Sequence, residues 1–320
     1  MMDHKSAGLT DDQARAIYRW MLLTRRLDER FSLMQRSGAI PLSLSPKGHE
    51  AAQVGVALAL RPGIDWWFPY YRDLAVVLIA GSTPLDLMRS SLGRRTDPAS
   101  GGRQTPYNWG DSRHHIVARS APVGVQIPQA AGAALAAVRR GDPVVVYCSF
   151  GEGAASQGDF HEGLNFAALH RLPVLYVCQN NRWAISTPSS RQTAGGSVAA
   201  RAAGYGIPGI GLDGADPFAV HQAAHKAAER ARAGLGPTLL ELQVARMESH
   251  TSDDQHTRYR TAAELATLVA SDPLPQVEAY LRSAHLLTKE AEAAMEAAIQ
   301  LEIDAAEQAA RAEPLPESGV

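Results

Sequence analysis

The middle of the chain alternates between two patterns of apolar and polar residues. Residues 143–149 and 173–178 are short, almost continuous apolar runs, which are typical of strands buried on both faces. Residues 126–141 and 159–172 instead place their apolar side chains at helical spacing. Apolar strands that alternate with helices predict an α/β fold, with a central, mostly parallel sheet and helices on both faces. The same alternation continues with a helix over residues 216–233 and a strand over 237–245.

Both ends of the chain have helical patterns. Near the amino terminus a long helix is predicted, because Thr10 with Gln13 forms a capping-box signature. Gly38 marks the expected end of this helix. Toward the carboxyl terminus, residues 286–311 are rich in alanine and glutamate and predict another helix. We therefore expect one domain over residues 1–320, with an amino-terminal helical segment and a carboxy-terminal helical tail.

Two shorter helices and a long loop are predicted between the first helix and the sheet. One helix covers residues 47–63, and another carries Pro84 early in its first turn, where a missing backbone N–H does no harm. Residues 93–114 are rich in Gly, Pro, Ser and Asp. A loop of this length inside a compact protein is usually either functional or disordered.

Composition and charge exclude several classes of protein. Hydrophobic residues make up 45% of the chain, which is enough for a real core, and the formal net charge of −2 gives no basic surface for nucleic acid. No run approaches the roughly 18–20 apolar residues needed to cross a bilayer, so we expect no membrane span. Cys148 and Cys178 lie in strand-like runs and are too few for a disulfide framework. These features predict two buried thiols and a cytoplasmic location.

Several common motifs are approached but not completed. The segment GEGAASQG has Ser156 where a dinucleotide-binding GxGxxG needs its third glycine. The His-Glu pair at 49–50 is followed by Gln53, so the zinc motif HExxH fails. His221 and His225 have the helical spacing of a metal pair, but no third ligand lies near them in sequence, and a polar helix face is the expected explanation.

Polar side chains follow two of the predicted strands at the point where each strand ends. Glu152, between two glycines, follows the strand at 143–149, and Asn180-Asn181 follows the strand at 173–178. Ligands of parallel sheets bind at the carboxyl ends of strands, so one carboxylate and one amide are expected to meet there. Such hard oxygen ligands suit Mg²⁺, which is usually held by one or two protein oxygens together with phosphate oxygens. The glycines would let a diphosphate approach the backbone.

A carboxylate about 30 positions before a paired asparagine is the motif that binds thiamine diphosphate through a metal ion. From about residue 15 to 265, the sequence resembles the alpha subunit of the thiamine-dependent 2-oxo acid dehydrogenases, the decarboxylating first component of their complexes. The resemblance also implies the thiamine diphosphate-binding fold. It rests further on the segments FPYYRD (68–73), SAPVGVQIPQAAGAA (120–134), NNRWAISTP (180–188) and SHTSDDQHTRYR (249–260).

The resemblance assigns roles to individual residues. It implies that Glu152, the Asn181 side chain and the Trp183 backbone carbonyl ligate Mg²⁺, and that His250 is catalytic. Tyr71 and Arg72 are implied to contact the aminopyrimidine side and the diphosphate of the cofactor. The remaining implied cofactor contacts are Ser120, Val123, Gly151, Gly153, Ala154, Asn181 and His250, and Asp254, Tyr259 and Arg260 are implied to order the loop around His250.

The implied reaction needs partners. A 2-oxo acid would lose carbon dioxide on the cofactor, and the acyl group would pass to the lipoyl domain of a dihydrolipoyl acyltransferase. In this family the glutamate that activates the aminopyrimidine lies on a separate beta subunit, and we do not assign that role to Glu50. The chain is therefore expected to be half of an α₂β₂ enzyme and to be nearly inactive alone.

The substrate class is less firmly indicated than the reaction. The segments SAPVGVQIPQA and WAISTP resemble the branched-chain type most, with pyruvate and acetoin as open alternatives. A non-catalytic assembly subunit and a stand-alone thiamine-dependent lyase or transketolase-like half are the competing functions. Ala121 and Val125 stand where the branched-chain type has hydroxyl residues, which puts a potassium site in doubt. Gln179 replaces an arginine of some relatives, and His115 has either a functional or a structural role.

Overall fold

The computed structural model of the protein describes residues 1–317 and has a five-stranded parallel sheet at its centre, with a separate two-stranded ribbon. The order in the sheet is β1-β2-β3-β7-β6, and all neighbours are parallel. The predicted parallel sheet is therefore confirmed. The strands are β1 (Trp66–Phe68), β2 (Val146–Gly151), β3 (Val174–Asn180), β4 (Trp183–Ala184), β5 (Thr187–Pro188), β6 (Gly209–Asp213) and β7 (Thr238–Gln243), of which β4 and β5 form the antiparallel ribbon.

Helices cover both faces of the sheet. Alternate side chains of β2 and β3 point into two separate apolar clusters: Tyr147 and Leu175 into one, Cys148 and Tyr176 into the other. This alternation is the geometry expected of a strand that is buried on both faces. The helices are α1 (Asp11–Arg36), α2 (Glu50–Ala57), α3 (Leu74–Ala80), α4 (Pro84–Ser91), α5 (Gln126–Arg140), α6 (Gly158–Leu169), α7 (Pro217–Arg232), α8 (Ala262–Ala270), α9 (Pro273–Ser283) and α10 (Lys289–Ala312).

Most of the predicted elements are present, and one helix is shorter than predicted. The capping box of α1 is confirmed, since the Thr10 side chain accepts from the N–H of Gln13 and the Gln13 side chain accepts from the N–H of Thr10. The helix predicted over residues 47–63 is wrong at both ends, because α2 ends at Ala57 and the chain then tightens into turns before Pro62. Pro62 disfavours helical geometry at Arg61, so a helix cannot extend to Gly63, and α2 ends still earlier, at Ala57.

The elements that were not predicted include β1, β6 and α3. β1 has only three residues, and β6 is a glycine-containing edge strand with mostly exposed residues. All seven residues of α3 are buried, so the helix has no polar face and no periodicity to detect.

The terminal helices pack on each other and on the core. Ile299 and Ile303 of α10 belong to the same apolar cluster as α1, and Arg19 and Arg30 of α1 form ion pairs with acidic residues of α10. The extent of the single domain stays a prediction. Cys148 and Cys178 are free and fully buried, as predicted. Among residues 1–317, no helix combines the length and the apolar character that a membrane crossing requires.

Candidate functional site

A cavity of about 470 Å³ lies at the carboxyl edge of the sheet, where β2 and β3 end. The two strands are paired in register up to Gly151 and Gln179, so the residues that follow them come together. The N–H of Asn181 donates to Oε2 of Glu152 at 3.2 Å. The expectation that these two turns meet at one edge of the sheet is therefore confirmed.

Glu152 is buried with one oxygen unsatisfied. The residue is 2% exposed, and its Oε1 has no hydrogen-bond partner among the described residues. Burial raises the pKa of the carboxyl group, and two nearby arginines oppose this shift less strongly. An ionised carboxylate in this environment needs a compensating charge. The chemistry of the site therefore fits a cation at Oε1.

The other two implied metal ligands flank Glu152. Oδ1 of Asn181 accepts from the N–H of Trp183 at 3.1 Å, and the Trp183 carbonyl accepts from Arg246 at 3.3 Å. Each oxygen keeps a second lone pair. Gly153 permits this close arrangement, because a Cβ at this position would lie 2.7 Å from Cβ of Ala184. No group of three or more His, Cys, Asp or Glu side chains suited to a metal occurs within the described residues, so a metal here would depend on amide and carbonyl oxygens.

Two residues with an implied cofactor contact do not line the cavity. Arg72 is buried behind it, and its guanidinium donates to the carbonyls of Ser45 at 2.5 Å and His250 at 3.3 Å. Ser120 lies on the surface. Their direct contact with a cofactor stays a prediction. The residues with implied roles that do line the cavity are Tyr71, Val123, Gly151, Glu152, Gly153, Ala154, Asn181, Trp183 and His250.

His250 reaches the cavity from the loop after β7. Its ring packs edge-on against Tyr71, with 5.9 Å between ring centroids. Burial, together with the positive charges of Arg72 and Arg246, lowers the pKa of His250 to about 4. The imidazole is therefore neutral near pH 7 and can accept a proton.

The loop that carries His250 is held by a small polar network. Asp254 accepts from the backbone N–H of His250 at 2.8 Å and also from the hydroxyl of Tyr259. The Tyr259 oxygen accepts from Arg246 at 2.8 Å, and Arg260 donates to the Arg246 carbonyl at 2.7 Å. The three residues implied to order the loop thus converge on Arg246, which was not predicted. In the sequence, the sign of this role is that Arg246 directly follows an apolar strand.

Replacing Tyr259 with phenylalanine should loosen this loop. The change removes a hydroxyl that bridges a carboxylate and a guanidinium, and such charged hydrogen bonds contribute roughly 1.5–3 kcal/mol. We expect trypsin to cleave after the exposed Arg258 about tenfold faster or more. Thr257→Ala, at an exposed neighbouring position, is the matched control. Equal cleavage rates for Tyr259→Phe and the unmodified protein would contradict the role of the hydroxyl.

A buried polar network beneath the cavity was also missed. Gln179 accepts from Gln53 at 3.0 Å and from Tyr70 at 3.2 Å, and donates to Asp73 at 2.6 Å. Burial raises the pKa of Asp73 to about 7, although hydrogen bonds from Tyr147 and other groups oppose the shift. The side chain of Gln179 therefore connects α2 with the turn before α3 and does not face a diphosphate. Its only sequence signal is a polar residue at the end of an apolar run.

Segments between the regular elements form the rest of the cavity wall. The long loop predicted at 93–114 contributes Thr105, Pro106 and Asn108. His115, whose role the sequence left open, stacks on Trp66 with 4.9 Å between ring centroids and does not line the cavity. His221 and His225 stack on each other on α7. The lining residues that sequence reasoning missed include Leu42, Leu44, Arg119, Gln157 and Ile185.

The sequence of the chain is similar to those of known proteins. The family model described as "Dehydrogenase E1 component" matches residues 18–318. The chain is 48% identical to the 2-oxoisovalerate dehydrogenase subunit alpha of Bacillus subtilis over 91% of this chain and 88% of that protein. It is 42% identical to the 3-methyl-2-oxobutanoate dehydrogenase subunit alpha of Mycobacterium tuberculosis over 89% and 74% of the two chains. The mitochondrial mouse 2-oxoisovalerate dehydrogenase subunit alpha is 41% identical over 85% and 62%.

Proposed function

The chain belongs to the dehydrogenase E1 component family, and from this premise we propose that it is the alpha subunit of a branched-chain 2-oxo acid dehydrogenase. The reaction is the oxidative decarboxylation of an acid such as 3-methyl-2-oxobutanoate, with transfer of the acyl group to a lipoyl group. Relatives named for 2-oxoisovalerate and 3-methyl-2-oxobutanoate support this substrate class over pyruvate and acetoin. They also support an enzyme over a non-catalytic assembly subunit.

The unsatisfied oxygen of Glu152 is the observation that carries the cofactor proposal. Mg²⁺ would be held by this oxygen, the side-chain oxygen of Asn181 and the carbonyl of Trp183, with the remaining positions open to a diphosphate and water. When bound, thiamine diphosphate supplies a nucleophilic carbon and takes up the electron pair that decarboxylation releases. The protein contributes the orientation of the reacting groups.

The cavity suits an aliphatic substrate and a proton transfer. Leu42, Leu44 and Ile185 give part of the wall an apolar surface, which favours a branched hydrocarbon chain over a polar one. Neutral His250 can accept a proton from a reacting group and later return it to the lipoyl sulfur that becomes a thiol when the disulfide of the acceptor opens. We therefore propose that the imidazole nitrogens of His250 carry out this proton transfer.

One expected catalytic group is missing from the cavity. Glu152 is the only carboxylate among the described lining residues, and its place is at the metal. Glu50 is buried in an ion pair with Arg25 at 2.6 Å and does not line the cavity. A glutamate from a beta subunit would complete the site, which supports an α₂β₂ enzyme. The lipoyl domain of a dihydrolipoyl acyltransferase is the second proposed partner, and the two free, buried thiols support a cytoplasmic location.

Carbon dioxide release by the chain copurified with its beta subunit tests the proposed function. The assay contains thiamine diphosphate, Mg²⁺ and an artificial electron acceptor, and compares 3-methyl-2-oxobutanoate with pyruvate. We expect cofactor-dependent turnover with a higher kcat/KM for the branched-chain acid, and almost none from the alpha chain alone. A complex that binds the cofactor but decarboxylates no 2-oxo acid would favour the lyase or assembly alternatives instead.

A further inference from the structure

The cavity contains a cation that has no acidic partner within residues 1–317. Arg119 lines the cavity and is half-buried. Burial lowers the pKa of its guanidinium, and the only charge interaction that opposes this shift comes from Tyr71. A cation that has lost much of its water without gaining a carboxylate is costly in the unliganded protein. The position therefore has the properties of a binding site for an anion.

The guanidinium of Arg119 is held in one orientation by its neighbours. Nη1 donates to Oδ1 of Asn108 at 2.7 Å, and Nδ2 of Asn108 donates to Oγ1 of Thr105 at 2.9 Å, which fixes the amide. The guanidinium carbon lies 4.9 Å from the centroid of the Tyr71 ring. Nη2 also donates to the carbonyl of Ala121 at 3.4 Å. Stacking and these two hydrogen bonds still leave further donors of the guanidinium for a ligand, since arginine has five N–H groups in a rigid fork.

The neighbours of Arg119 indicate which anion it meets. Arg119 stacks on the ring of Tyr71, and the ring of Tyr71 also packs against the ring of His250. The three side chains therefore form one continuous wall. The proposed diphosphate site is at Glu152 and Asn181, which belong to different segments of the chain. The wall that contains His250 is where the substrate reacts, and every 2-oxo acid carries a carboxylate.

We propose that Arg119 binds the carboxylate of the 2-oxo acid and that Asn108 is its positioning residue. The inference rests on the proposed function and adds a residue that selects acids as substrates. Because the negative charge of the carboxylate disappears as carbon dioxide forms, the interaction is stronger in the bound substrate than in the transition state of decarboxylation. Arg119 therefore lowers KM without raising kcat.

Steady-state kinetics of Arg119→Gln in the assembled enzyme test the proposal. With saturating thiamine diphosphate and Mg²⁺ and an artificial electron acceptor, KM for 3-methyl-2-oxobutanoate should rise about 10- to 100-fold, as for the loss of a charged hydrogen bond. The kcat should be unchanged or higher. Oxidation of 2-methylpropanal, which corresponds to the substrate after loss of carbon dioxide, should not respond because the aldehyde has no carboxylate. Arg119→Lys should recover part of the affinity.

Two further variants separate the charge from the shape of the side chain. Asn108→Asp places a carboxylate on Nη1 of an intact Arg119, so it should raise KM for the acid as Arg119→Gln does and leave the aldehyde unaffected. Arg103→Gln is the matched control, because Arg103 lies in the same loop as Asn108, is exposed and does not line the cavity. It should behave like the unmodified enzyme.

A binding measurement that needs no turnover separates this proposal from the proposed function. The dissociation constant of 3-methylbutanoate, followed through the fluorescence of tryptophan residues such as Trp183 in the cavity wall, should rise in Arg119→Gln. That of the neutral 3-methylbutanamide should stay the same. Any one of three results would overturn the proposal, whether or not the enzyme decarboxylates 2-oxo acids. These are equal effects on both ligands, a change confined to the affinity for thiamine diphosphate, and loss of the beta subunit on Arg119 substitution.

Discussion

Replacing Glu152 with alanine should abolish the Mg²⁺-dependent binding of thiamine diphosphate by the assembled enzyme. The residues that merely support metal ligands change metal affinity about 10- to 100-fold, so loss of the only carboxylate ligand should cost at least roughly 100-fold. Isothermal titration with the cofactor, in the presence and absence of Mg²⁺, measures this directly. Glu162→Ala, at an exposed position of α6, is the matched control and should bind normally. Unchanged affinity in Glu152→Ala would refute the metal assignment.

The pH dependence gives a second test of Glu152. Its pKa is raised above the ordinary value of 4.5 by burial, so the folded chain without ligand holds this proton to a higher pH than the unfolded chain does. The free energy of unfolding should therefore fall as pH rises through the raised pKa. Metal binding requires the ionised form, so the apparent affinity for Mg²⁺ should rise over the same range. In Glu152→Gln, this residue should no longer contribute to the pH dependence of the free energy of unfolding or of the apparent affinity for Mg²⁺.

Replacing His250 with alanine should leave cofactor binding intact and reduce turnover with a lipoyl acceptor about 10²- to 10⁴-fold, the usual contribution of a general acid or base. The imidazole lies in the cavity next to Tyr71 and is not one of the implied metal ligands. His256→Ala is the control, since His256 is in the same loop and does not line the cavity. Full activity of His250→Ala with the lipoyl acceptor would show that His250 does not participate.

The low pKa of His250 also predicts how stability changes with pH. Between its ordinary value of 6.5 and about 4, the unfolded chain binds a proton that the folded chain excludes. The free energy of unfolding should therefore decline as pH falls through this range, and the contribution of His250 to that decline should be absent in His250→Ala. Chemical denaturation at several pH values measures the difference between the two proteins.

Local patterns in the sequence were sufficient for the elements that depend on neighbours along the chain. The capping box of α1, the proline at the start of α4 and the apolar strands β2 and β3 all follow from interactions over a few residues. The meeting of Glu152 and Asn181 could also be inferred, because consecutive parallel strands end at the same edge of a sheet. The fully buried α3 and the exposed edge strand β6 could not, since neither has the two-sided pattern that sequence periodicity detects.

The sequence by itself determined the parallel sheet, the family and the meeting of Glu152 with Asn181 at one edge of the sheet, because these depend on burial patterns and on short motifs with fixed spacing. Only the tertiary structure decided which charges remain without a partner. Arg72, expected at the cofactor, lies behind the cavity and donates to the carbonyls of Ser45 and His250. Arg119, which no sequence motif indicates, lines the cavity and keeps donors beyond its bonds to Asn108 and Ala121. The sequence does not distinguish the two arginines, because the difference between their environments arises from segments that are far apart in the chain.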